Sequence, residues 1–149
     1  GTGSNAWNTP STPIEVYVGQ TLTITNNDSV VHQMHTGGKP CPHGSAIMNT
    51  GGTQTCVIMT AYNSITSAGV YEHTVGTSAP IYIIAYDGAQ LYSQNCMSCH
   101  GALATSEHKG ASYAEILNAV ANAPAMSSNA ALAKLSKKQL EAIAYALSQ

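Results

Sequence analysis

The sequence predicts two modules in tandem, an all-β unit over residues 1–86 and an all-α unit over 87–149. Three observations predict it. Short apolar/polar alternations fill the chain as far as Asp87, helical spacing replaces them afterwards, and helix-start signals recur from Asp87 onward. At 149 residues the chain suits one ordinary domain or two small ones, and 44% apolar residues suffice for a core.

The β runs come first. Ile14, Val16 and Val18 alternate in TPIEVYVG, and Leu22 and Ile24 in QTLTITNN. QTCVIMT (54–60), GVYEHTV (69–75) and PIYIIAY (80–86) follow, separated by Gly, Asn, Ser and Pro clusters. That punctuation predicts a small sandwich or barrel. The last run is apolar on both faces, which suits a central strand. Beyond it, Asp87 with Gln90, Ser112 with Glu115 and Ser136 with Gln139 each read as a helix start with a capping box. Leu140, Ile143, Ala144 and Leu147 line one apolar helix face.

Composition removes several classes of function. Charged residues are only 8% of the chain, the net charge is −2, and arginine is absent. A nucleic-acid binder needs a basic stripe, so that class is excluded. No run approaches the roughly 18 apolar residues of a membrane helix, so no transmembrane segment is expected. Gly1-Thr2-Gly3-Ser4 carries no charged-then-apolar leader, so any export signal is expected to have been removed or to precede this start.

Cys96-Met97-Ser98-Cys99-His100 is C-x-x-C-H, the attachment signature of c-type haem. Two thiols three positions apart add to the two porphyrin vinyl groups, and the adjoining imidazole reaches the iron from the same side. A zinc site would need a second ligand pair, and a thioredoxin-like pair would need β/α alternation. Met126 lies 26 residues after His100, in a Pro-containing stretch between two helices. It is the expected second axial ligand. His108 is the alternative, read as a solvated loop residue.

DGAQLYSQNCMSCHG and LSKKQLEAIAYALSQ, with Met126 between them, resemble the class I cytochromes c. The resemblance implies one covalent haem c held by Cys96 and Cys99, with His100 and Met126 on the iron. It also implies tight crossing of the first and last helices, with Gly88 or Tyr92 set against Tyr145. Haem is attached outside the cytoplasm in that family, so a periplasmic or otherwise exported protein is implied.

Four of the six histidines, His32, His35, His43 and His73, fall in the β half, and imidazole suits copper. VGQTLTITNNDSVVHQMHT resembles the cupredoxins, which have a Greek-key sandwich and a copper-ligand histidine at the place of His32. The later hairpin, YEHTVGTSAP, keeps His73 but lacks the copper-ligand cysteine of that family. Cys41 and Cys56 are expected to form a disulfide, because export favours oxidised pairs. The alternative is Cys41 joining His43 as a metal ligand. The expected copper set is therefore His32 and His73, then His43, then His35, with Met34 or Met48 assisting Cu(I). Strand alternation forbids His32 and His35 from both pointing inward.

The resulting expectation is an exported electron carrier that exchanges electrons with partner proteins. Lys134, Lys137 and Lys138 are candidates for a docking rim. Two alternatives stay open: a redox enzyme or sensor with an open imidazole–copper site served by the haem, and a copper-handling protein.

Overall fold

The computed structural model describes residues 8–65, 70–72 and 79–149, with Ala79 described through its backbone alone. The chain divides into two compact units, Gly1–Ala85 and Tyr86–Gln149.

The first unit is all-β. Its strands are β1 (Ile14–Tyr17), β2 (Thr21–Thr25), β3 (His32–Thr36), β4 (Gly44–Met48), β5 (Thr53–Val57), β6 (Tyr62–Asn63), β7 (Val70–Glu72), β8 (Ala79–Pro80) and β9 (Ile83–Tyr86). They form sheets ordered β1-β9-β6, β2-β5 and β4-β3-β7-β8. The run over 80–86 contributes β9, which is the middle strand of its sheet, as its two-sided apolar pattern predicts. Val16, Ile24, Met34, Met48, Ile58, Val70, Ile81 and Ile83 form the core. Alternation selects them: β3 buries His32, Met34 and Thr36 and turns Gln33 and His35 outward. The expectation for His32 and His35 therefore holds. Strand β4 has no counterpart in the sequence reading. Its burial is confined largely to Met48, so it shows no alternation to read.

Cys41 and Cys56 are joined by a disulfide, with both residues buried. It ties the segment before β4 to β5, closing a separation of 15 residues. A loop of that size stabilises the unit by about 3 kcal/mol, through the entropy it removes from the unfolded chain.

The second unit is helical: α1 (Gly88–Asn95), α2 (Met97–His100), α3 (Tyr113–Asn122), α4 (Pro124–Ser127) and α5 (Lys137–Leu147). Short 3-10 turns lie at Leu103–Thr105 and Leu132–Lys134. All three helix starts fall where the sequence places them. Ser112 with Glu115 and Ser136 with Gln139 each form both bonds of a capping box. Asp87 accepts from the Ala89 and Gln90 N–H groups. Hydrogen bonds from the Ser112 backbone and hydroxyl hold the Glu115 carboxyl below its usual range, against a small opposing effect of burial.

Helices α1 and α5 cross at Gly88, where a Cβ would fall 1.9 Å from the Ala142 carbonyl oxygen and 3.1 Å from the Ala146 Cβ. The tight crossing of the first and last helices is present, but the expected partner is corrected: the atoms that crowd Gly88 belong to Ala142 and Ala146, and not to Tyr145. Tyr92, Leu140, Ile143 and Leu147 form the buried cluster of this unit.

Candidate functional site

Cys96 ends α1 and begins α2, so the attachment sequence forms its own single helical turn. The N–H groups of Cys99 and His100 both donate to the Cys96 carbonyl, at 3.2 and 3.0 Å. Gly101, at φ 73°, closes the turn in a conformation that favours glycine. The buried Tyr92 supports the turn from α1: its hydroxyl donates to the Gly101 carbonyl at 3.1 Å and lies 3.4 Å from that of His100. Both cysteines are free thiols, Cys96 half-buried and Cys99 exposed. Burial, and then the neighbouring Cys99, push the Cys96 thiol above its ordinary value.

The surroundings fit an apolar macrocycle. Helix α3 has an apolar side with Ile116 and Val120, yet buries no residue completely. Leu91, Leu103, Tyr113, Ile116, Val120 and Leu135 also pack on the core cluster while remaining partly exposed. Leu117 is 43% exposed. A helical unit that covers its apolar side chains so incompletely gains by burying them against a large flat ligand. Met126 is half-buried on α4, where the sequence reading expects a loop; Pro124 starts this single turn.

His108 departs from the sequence reading. Its ring lies 4.5 Å from that of His100, centroid to centroid, at 82°. With Glu107 the two histidines place donor atoms within 4.8 Å of one another. The contact could not be read from spacing, because the turn after Gly101 carries no periodic signal.

The β-unit histidines separate into two places. His32 is buried, with Nδ1 at 3.0 Å from Glu72 Oε2 and Nε2 at 3.3 Å from Asp28 Oδ2. Glu72, also buried, accepts the Gln33 N–H at 2.9 Å. Met34 pairs with Glu72 across β3 and β7, so His32 and Glu72 are diagonal neighbours on the inward face. Burial raises the Asp28 carboxyl, but hydrogen bonds from His32, Val30 and Ser29 together hold it below its ordinary value.

On the opposite face, His35 lies directly across from Tyr71 and stacks on it at 4.7 Å and 17°. His43 packs edge-on against His35, with ring centroids 5.0 Å apart. The expected convergence of His32 with His43 is therefore corrected: the pleat of β3 puts His32 on one face and the His35–His43 pair on the other. His73 lies outside the described residues. Cys41 and Cys56 are spent on the disulfide, so among the described residues the β unit keeps no free thiol to serve a copper ion.

The lysine rim is also modified by the structure. Lys138 and Lys137 approach the Glu141 carboxylate at 2.6 and 3.7 Å, and Lys137 lies over the Tyr113 ring. Glu141 explains why cations are tolerated at the start of α5.

Residues 85–145 match the family described as cytochrome C oxidase, cbb3-type, subunit III. The second unit thus matches a cytochrome c domain. Among solved structures, the chain is similar to a novel purple cupredoxin from Nitrosopumilus maritimus, at 18% identity and a TM-score of 0.36. That likeness covers 50% of this chain and 77% of the other, and has no bearing on ligands or function. No curated protein matches the chain. No helix among the described residues is long and apolar enough to cross a membrane.

Proposed function

We propose that this chain is an exported electron-transfer protein carrying one covalent haem c. Its residues Cys96 and Cys99 would hold the haem as thioethers, and His100 and Met126 would ligate its iron. The observation that carries this reading is the Cys96–His100 turn: two unbridged thiols and an imidazole on one helical turn, braced by Tyr92. The haem supplies a one-electron Fe(III)/Fe(II) couple, and methionine ligation raises its potential relative to two imidazoles. The protein's part is to hold the two ligands and to cover the apolar faces of α3 and its neighbours. Mass spectrometry of the matured chain after acid–acetone extraction should find haem on the peptide containing Cys96 and Cys99. In the ferric wild type a weak far-red sulfur-to-iron band is expected, and Met126→Ala should abolish it. Survival of the band would remove Met126 from the iron.

The contact between His35 and His43 favours a second, separate reading, in which Cu(II) binds the outer face of β3. Two neutral imidazoles are suitable copper donors, and no thiolate is involved. Calorimetric titration with Cu(II) should give a complex without strong blue colour, lost in both His35→Ala and His43→Ala. Unchanged binding in those variants, with loss in His73→Ala, would move the copper elsewhere.

A further inference from the structure

The turn between Leu103–Thr105 and α3 is held more firmly than a solvated loop requires. The buried Ser106 hydroxyl accepts the His108 N–H at 3.2 Å, and the Ser106 carbonyl accepts the Lys109 N–H at 3.2 Å. The His108 carbonyl accepts the Ala111 N–H at 3.0 Å. Gly110, at φ 83°, donates its N–H to the Leu147 carbonyl at 2.9 Å, tying the turn to the last residue of α5. His108 is therefore fixed in the backbone on both sides while its ring projects onto His100. The His100 backbone is equally fixed, within α2 and by Tyr92.

Two imidazoles 4.5 Å apart and nearly perpendicular place the edge of one against the face of the other. At that separation the two rings are in packing contact, so the His108 ring occupies one side of the His100 imidazole. Glu107, exposed, places a carboxylate oxygen 3.8 Å from His108 Nε2. Residues behind a ligand that set its orientation are a general means of tuning a metal centre.

We propose that His108 is a positioning residue for His100, setting the plane of the imidazole that ligates the haem iron. This rests on His100 being that ligand, and it assigns to a side chain on the loop a role that the attachment motif does not contain. The discriminating property is ring packing, so an aromatic replacement should preserve it and a truncation should not.

The test uses the haem-loaded full-length chain in three forms: wild type, His108→Ala and His108→Phe. Ferric low-temperature EPR and the reduction potential are measured on each. His108→Ala should shift the g-values and the potential, and His108→Phe should return both close to wild type. The proposal is overturned if His108→Ala matches wild type in both readouts. It is overturned equally if His108→Phe shifts as far as His108→Ala, since ring packing would then not be the cause. Failure of the underlying reading looks different: the wild type itself would carry no covalent haem. Thermal unfolding of each variant separates lost positioning from a lost fold, and a His108→Ala protein that unfolds like wild type yet shows altered g-values supports positioning alone.

Discussion

Gly88→Ala lowers the unfolding midpoint of the helical unit by roughly 8–16 °C. Two effects of opposite sign compete at this position. Alanine is favoured over glycine inside a helix by about 1 kcal/mol. Against that, the new methyl would sit 1.9 Å from the Ala142 carbonyl oxygen and 2.5 Å from its carbon. The obstacle is backbone, which cannot swing aside as a side chain end can, so the helices must separate. Separation loosens the cluster of Tyr92, Leu140, Ile143 and Leu147. Overpacking of this kind costs about 1–3 kcal/mol, and here the upper end applies. A domain of this size loses roughly 4–8 °C per kcal/mol. Thermal unfolding followed by helical circular dichroism checks the result, and an unchanged or raised midpoint would mean the crossing yields freely.

Glu72→Ala destabilises the β unit by about 2–6 kcal/mol, because two hydrogen-bonding groups lose their buried partner at about 1–3 kcal/mol each. The carboxylate is fully buried and holds two donors, the His32 ring and the Gln33 N–H. Alanine leaves both without an acceptor on that side. Replacing the pair together, as His32→Leu with Glu72→Leu, should cost much less, because the buried imidazole leaves with its partner; the Gln33 N–H then accounts for about 1–3 kcal/mol. Hydrogen exchange of the β3 and β7 amides reads the effect on the sheet itself. A double variant as unstable as Glu72→Ala would show that shape, not hydrogen-bond pairing, makes this site sensitive.

Much of the fold is legible in the sequence because its signals are local. The boundary near Asp87, the three capped helix starts and the two-sided apolar run of β9 each depend on residues within one or two turns or one strand. The C-x-x-C-H turn is legible for the same reason: five consecutive residues contain the whole chemistry. Gly88 is a partial case. A resemblance points to it, but its partners, Ala142 and Ala146, are more than fifty positions away.

The histidines show where local reading stops. Alternation along β3 correctly separates His32 from His35, since successive side chains leave opposite faces of a strand. It says nothing about what each face meets. Glu72 reaches His32, and Tyr71 reaches His35, only because β3 and β7 pair with Met34 opposite Glu72. A slip of one residue in that pairing would exchange the carboxylate for an aromatic ring. His43 meets His35 through the pairing of β3 with β4, a strand with almost no pattern of its own. By itself the sequence determined the two modules, their helix starts and the C-x-x-C-H turn, all set by neighbours in the chain. Strand register and helix crossing, which bring distant residues together during folding, decided that His32 faces carboxylates, that His35 pairs with His43, and that His108 lies against His100.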